Sequence, residues 1–476
     1  MQTKRLASNY WGVALAIALT PLLLWAALQI LPTHDDWAGT TTPDFRPFFI
    51  KEHFLFYGFH WRPFDTWIGY IAGRNPQLLY PAFNHVCVVA GHLLCTILVC
   101  RLLLTLGFGR RACNVSTLFF FITPATMATV LAIDSQNQTF ALAWGIAAFL
   151  YYIRNSRRKY LIWPVLVFIA TLSKENGLMW ALICPILAYG FDFIDLRTLK
   201  KDILVGIAIM AAYALAIALL PKDITIHPDY EPGILKTVSN VVKFLFSSFV
   251  TVDYIYLLHQ PSRNLLLAAV TLLLALPFIY YVFIRPWRTF ADKRILCTAM
   301  SLVIAVGPHL GTVYSMMHTY AGLVLVTIIA ACSIEQYQQP SKSLLLAFLL
   351  WVIAAVGIDI HLTDASIKSG LTGRQMAREA VSQTGNPVSK AYVVIIEDDY
   401  PKLSSFCVIP NEAFGWGLAA RHETNYQWPE VISDTTIERT ADAFRQAERL
   451  SQQVLQSSSY DCVWIVNHEK VYVVKR

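Results

Sequence analysis

Apolar residues in this chain arrive in long blocks, and that pattern leaves few architectures open. The first block follows a basic start, MQTKRLASNYWGVALAIALTPLLLWAALQI, and others lie at 84–106, 114–133, 139–153, 160–173, 177–191, 203–220, 264–284, 295–308, 319–334 and 343–360. A bilayer core takes about 20 helical residues to cross, so the spacing predicts an α-helical polytopic membrane protein with about eleven transmembrane helices. Only 14% of the 476 residues are charged and 56% are hydrophobic, where a soluble globular chain would be about a quarter charged. A cytosolic enzyme, a disordered tail and a fibrous chain are thereby excluded. The first block shows no small-x-small cleavage site and runs straight into Pro32 to Asp36. It reads as a retained helix rather than a signal peptide.

The formal net charge is +7, but the basic residues punctuate the apolar blocks instead of forming a nucleic-acid-binding run, and no nucleic acid is expected as a partner. They gather at alternate connections: Lys4 and Arg5; Arg110 and Arg111; Arg154, Arg157, Arg158 and Lys159; Arg197, Lys200 and Lys201; Arg285, Arg288, Lys293 and Arg294; and Lys342. Positive charge marks the cytoplasmic face, and one missed span would scramble the alternation. Of the nine cysteines, most lie in or beside apolar blocks with no CxxC pair, so they read as packing residues and imply no zinc site.

The opposite, outer face then carries a long first loop (32–83), the turn at 134–138, the segment 173–176, a second long loop (221–263) and the stretch 307–318. The aromatic-rich first loop and the segment 234–259 suit amphipathic helices lying at the interface. Two domains follow, a transmembrane domain at 1–360 and a soluble α/β domain at 361–476 on the outer side. In the latter AYVVIIEDD (391–399), YDCVWIVNH (460–468) and the terminal KVYVVKR read as strands, and TTIERTADAFRQAERLSQQVLQ (435–456) as an amphipathic helix. Cys407 and Cys462 are either an outer-side disulfide or two buried strand thiols.

Polar residues that interrupt the apolar pattern are the candidates for chemistry. His34, Asp35 and Asp36 stand just beyond the outer end of the first helix. One carboxylate there can take a proton from an acceptor hydroxyl, while its neighbour raises its pKa or binds a divalent cation; the bland alternative is a solvated acidic loop. Lys174, between two short apolar blocks, is costly in a membrane unless paired or functional. Glu175 beside it cannot share its helical face, so the lysine is expected to point toward an anion or, in the bland reading, toward a carboxylate that only ties helices together. Arg62 offers a fork suited to phosphate oxygens, or else a headgroup anchor. Asp134 is a loop cap or a contact to a sugar hydroxyl. His85, His92, His309 and His318 lie in or near spans, where packing histidines are common.

The order of these features resembles the GT-C glycosyltransferases, the polytopic enzymes related to protein O-mannosyltransferases and to the lipid A aminoarabinose transferase. An acidic pair in the first outer loop is followed by Arg62-Pro63, then Asn75-Pro76-Gln77 and Tyr80, then a helix containing Gly91-His92-Leu93-Leu94. Phe120 to Val130 is similar to the family's proline-broken third helix, and Leu172-Ser173-Lys174-Glu175-Asn176 to its "sKEn" element. The likeness covers roughly residues 1 to 190. Farther on, His318-Thr319-Tyr320 stands where the family carries an arginine-tyrosine segment, without the arginine.

The resemblance implies sugar transfer from a polyprenyl-phosphate donor to a lipid, glycan or protein acceptor on the outer face, by inverting displacement. Asp36, ahead of Asp35, would be the base, and Lys174 and Arg62 would hold the phosphate. His34, Glu175, Asp134, His318 and Tyr320 would line the site. A divalent metal (Mg or Mn), if used, would fall to Asp35 and Asp36. A bacterial inner membrane is the expected location. The competing function is a transporter or flippase for a lipid-linked or amphipathic solute, although no internal repeat supports it.

Overall fold

The computed structural model describes residues 10–33, 62, 64, 68, 71–72, 76–133, 135–154, 158–219, 233–249, 261–285, 292–310, 316–337, 342–385, 390–397, 414, 418–423, 431–457 and 460–476. Each apolar block becomes helix: α1 (Trp11–Ala27), α2 (Ala82–Thr105), α3 (Arg110–Ile122) with α4 (Pro124–Val130), α5 (Gln136–Tyr152), α6 (Lys159–Ser173), α7 (Trp180–Gly190), α8 (Leu196–Leu219), α10 (Pro261–Ile279), α11 (Lys293–Leu310), α12 (Thr319–Glu335) and α13 (Lys342–Thr384). The segment between α8 and α10 adds α9 (Ile234–Phe249). Among the described residues, four helices are individually long and apolar enough to cross a membrane, and the α3–α4 pair, bent by 50°, makes a fifth. The bend falls at Thr123-Pro124, where the proline ring denies the preceding residue a helical conformation. The chain is a multi-pass membrane protein.

Lipid tails are as apolar as leucine, so helices in a bilayer gain little by hiding leucine and must instead pack closely or share hydrogen bonds. The core shows both. Phe119, Phe278 and Trp351 form an aromatic cluster with ring centroids 5.0 to 6.0 Å apart. His92 on α2 bonds through Nε2–H to the Phe121 carbonyl at 3.1 Å, which leaves Nδ1 to accept from the Tyr320 hydroxyl at 2.9 Å. That fixed tautomer ties α2, α3 and α12 together. On the basic-loop side, Asp202 is fully buried and accepts from Lys159 at 2.6 Å, from Tyr160 at 2.9 Å and from Tyr152. The carboxylate is thus compensated from several directions, the condition under which a buried charge is tolerated.

Helix α9 is inverted relative to a soluble amphipathic helix. Ile234, Leu235, Val238 and Val242 are exposed, whereas Asn240 is buried and donates to the Leu310 carbonyl at 2.8 Å. Its exposed stripe is therefore apolar, and its polar stripe lies against the protein.

The last span does not stop where its apolar run ends. α13 runs for 43 residues, and its C-terminal half forms one layer of the C-terminal domain. There β1 (Ala391–Ile396), β2 (Val431–Ile437), β3 (Cys462–Asn467) and β4 (Lys470–Lys475) form a sheet of order β2-β1-β3-β4, parallel across the first three strands and antiparallel at β4. α15 (Ala443–Ser457) covers one face against Val394, Ile396, Val463 and Ile465. Met376, Ala377 and Ala380 of α13 cover the other against Val393, Trp464 and Val466, joined by α14 (Leu418–Glu423). Burial on both faces is what a parallel sheet demands.

One local expectation fails. The helix expected over 435–456 begins only at Ala443, because 431–437 (VISDTTI) is strand β2. Its β-branched Val, Ile and Thr residues favour the pleat, and the amphipathic period holds only for the part after Thr440. Cys462 on β3 is a buried free thiol; Cys407 lies outside the described residues. Burial, helped by the Asp461 carboxylate, pushes the Cys462 thiol up to about 12. It therefore stays protonated at neutral pH and slightly above. Labelling of the Cys462 peptide by a maleimide at pH 8 should be negligible in the folded protein and rapid after denaturation; fast labelling of the folded protein would refute the burial.

Candidate active site

The helix pair flanking residue 174 is broken rather than continuous. α6 ends at Ser173, Lys174 is extended (φ −158°, ψ 145°), and a 3₁₀ turn over Glu175–Met179 leads into α7. The Gly177 amide donates to the Lys174 carbonyl at 2.9 Å. This return brings Gly177 so close to the end of α6 that a Cβ there would stand 2.3 Å from the Ala170 carbonyl carbon. Glycine alone fits. The turn leaves Lys174 only 5% exposed.

Several other parts of the chain meet this turn. Arg62, from the segment between α1 and α2, donates Nε to both Glu175 carboxylate oxygens (3.0 and 3.2 Å) and a terminal nitrogen to Oε2 (2.9 Å), with a quarter of each side chain exposed. Such a fork fixes orientation in a way a lysine could not. His309 at the end of α11 and His318 at the start of α12 stack with ring centroids 4.2 Å apart and planes 12° from parallel. Lys174, Glu175 and Arg62 all act electrostatically on both imidazoles. Tyr213 of α8 lies within the field of Glu175 and Arg62, with its hydroxyl buried. Beside Lys174, Asn176 Nδ2 contacts Gln138 Oε1 at 3.4 Å, and the two line a narrow cleft with Trp180, Ala141, Ile183 and Ala305.

The residues expected from sequence are therefore distributed unevenly. Lys174, Glu175, Arg62 and His318 come together from elements more than a hundred residues apart. Arg62 does so as the ionic partner of Glu175. Tyr320 lies in the packed interior, fully buried against His92, and holds helices rather than lining the turn. His34, Asp35, Asp36 and Asp134 fall outside the described residues. Their stem does not: Ile30, whose carbonyl accepts from His85 Nε2 at 3.2 Å, packs in one cluster with Met127, Met316, Ile358 and Leu362. Met316 is two residues from His318. Gln138 and Asn176 receive no role from sequence, and His309 reads there as a packing histidine, although an uncharged Gln-Asn-Gln run opening an apolar helix is a signal that the site could be sought there. Among the described residues no group of three His, Cys, Asp or Glu side chains is placed to hold a metal ion.

No family model matches this chain, and no curated protein matches its sequence. Solved structures do. ArnT from Cupriavidus metallidurans bound to undecaprenyl phosphate superposes with a TM-score of 0.50 at 11% identity, covering 97% of both chains. The apo oligosaccharyltransferase of Archaeoglobus fulgidus aligns with a TM-score of 0.43 at 15% identity, over 81% of this chain. The chain spans 62% of the length of that archaeal protein. The chain shares the fold of ArnT over 97% of its length, C-terminal domain included.

Proposed function

We propose that this protein is a membrane glycosyltransferase that moves a sugar from a polyprenyl-phosphate donor to a lipid, glycan or protein acceptor at the outer face of a bacterial inner membrane. One observation carries the reading: a nearly buried lysine, at the outer end of a broken helix pair, in a chain whose fold matches that of a protein crystallised with a polyprenyl phosphate. Lys174 is the cation for the donor phosphate. Arg62 and Glu175 neutralise each other and fix the turn that presents it. Asp36, with Asp35 beside it, takes the proton from the acceptor hydroxyl as its oxygen forms the new bond to the anomeric carbon. The bond from that carbon to the phosphate oxygen breaks with its electrons going to the phosphate, which Lys174 stabilises. A single attack of this kind inverts the anomeric centre. A divalent metal, if one is used, falls to Asp35 and Asp36.

The test supplies purified full-length protein with a panel of polyprenyl-phosphate sugars and measures released polyprenyl phosphate. Turnover is expected with at least one sugar, reduced about 100- to 10,000-fold by Asp36→Asn, the range for loss of a general base. Solute uptake into vesicles without any release of polyprenyl phosphate would overturn the reading in favour of a transporter.

A further inference from the structure

The first turn of α5 sends an amide into the cleft beside Lys174. Gln138 is only 1% exposed. Its Oε1 meets Asn176 Nδ2 at 3.4 Å, whereas its Nε2 is fully buried and has no hydrogen-bond partner. An amide nitrogen carries two N–H donors, and leaving them unmet in a buried place costs free energy that a bound polar group recovers. Asn176 stands two residues after Lys174, in the 3₁₀ turn that follows it.

The amide is held in place from behind. The Gln138 backbone nitrogen donates to the Ser135 carbonyl at 3.0 Å, and Thr139 beside it packs so tightly on α2 that a Cβ at Gly91 would stand 2.3 Å from its Oγ1. Across the cleft, Trp180 is 4% exposed and rests on α5 at Gly145, where a Cβ would stand 2.1 Å from the indole Nε1. Apart from the two amides the lining is hydrocarbon and indole, and the space left between them suits about one water-sized group. A cleft this small with a single outstanding polar demand is matched by a hydroxyl.

We propose that Gln138 is a specificity-determining residue: its Nε2 donates to one ring hydroxyl of the transferred sugar, and the cleft around it admits that hydroxyl and nothing larger. The sugar is then one that carries a free hydroxyl at this position, and deoxy and acetamido sugars are refused there. This rests on the glycosyltransferase reading above, in which Lys174 holds the donor phosphate; the sugar ring is one bridging oxygen away from that phosphate, within reach of a cleft that begins two residues along the same turn.

The test uses full-length protein in nanodiscs, supplied with the undecaprenyl-phosphate sugar that it turns over best and with the monodeoxy and acetamido analogues of that sugar. In the wild type, kcat/KM should fall about 10- to 100-fold for the analogue lacking the bound hydroxyl, because the buried amide is then left unmet. The analogue with an acetamido group at the same position should not turn over. Gln138→Met should lower kcat/KM for the parent donor by a similar factor and should erase the difference between the parent and that one deoxy analogue. Equal losses from Gln138→Met for the parent and every analogue would overturn the proposal, since a residue that only supports the turn penalises all donors alike. Turnover of every acetamido analogue at the parent's rate would overturn it as well. Either result leaves the glycosyltransferase reading intact, whereas a wild-type protein that turns over no donor would remove that reading too. Should Gln138→Met not elute as a single folded species, Gln138→Glu keeps an acceptor for Asn176 and lacks the N–H donors. The same erased difference is expected there, and equal losses for all donors would again overturn the proposal.

Discussion

Lys174→Met is expected to lower kcat/KM for the lipid-linked donor about 100- to 1000-fold, the range seen when a preorganised group facing developing charge is removed. Methionine keeps an unbranched apolar stem one atom shorter than lysine, so most of the 5% exposed slot remains filled. What disappears is the ammonium. The nearby Arg62 cannot replace it, because its fork is engaged with Glu175 at 2.9 to 3.2 Å. Nor can the histidines, since protonating a stacked pair beside Lys174 and Arg62 would place like charges together. The measurement is release of polyprenyl phosphate at several donor concentrations, with elution profile and melting temperature as folding controls. Activity within about 3-fold of wild type would show that the lysine merely ties helices together.

Gly177→Ala should be the most damaging single-methyl change near the site. The added carbon would stand 2.3 Å from the Ala170 carbonyl carbon and 2.4 Å from its oxygen. Neither atom can yield without breaking the last turn of α6, whose end carries Lys174. The expected result is a stability loss of about 1 to 3 kcal/mol, or more, from overpacking, together with loss of donor turnover as the lysine is displaced. Thermal melting and turnover of the purified variant check both parts. Normal melting with normal turnover would mean that the turn has room that the geometry denies it.

The sequence makes the membrane part legible because one physical rule dominates there: backbone polar groups must be satisfied within each segment, so apolar blocks become helices. The break at Ser173-Lys174 was readable for a related reason, since two short blocks cannot both cross straight. The proline bend at Thr123-Pro124 is expected only through the resemblance of Phe120 to Val130 to a proline-broken family helix, since the apolar block runs unbroken over 114–133. Other features depend on contacts between distant elements and leave no local trace. Nothing within the first outer loop says that Arg62 will meet a carboxylate on a turn more than a hundred residues later. The stacking of His309 on His318 joins the ends of two helices, and each histidine alone resembles a packing residue. The 43-residue length of α13 is hidden in the sequence because its C-terminal half is polar, so hydropathy marks an end at 360 where the helix runs on. Strand β2 was absorbed into the neighbouring helix because its partners, β1 and the layers around it, lie elsewhere in the sequence.

The role of Lys174 turns on where the phosphate of a lipid-linked donor sits. A structure of the full-length protein in nanodiscs with undecaprenyl phosphate decides it. The phosphate is expected about 3 Å from Lys174 Nζ, at the outer end of the bundle near His309 and His318. A phosphate bound at the basic face near Lys159 and Asp202, or at any site remote from Lys174, would contradict the assignment.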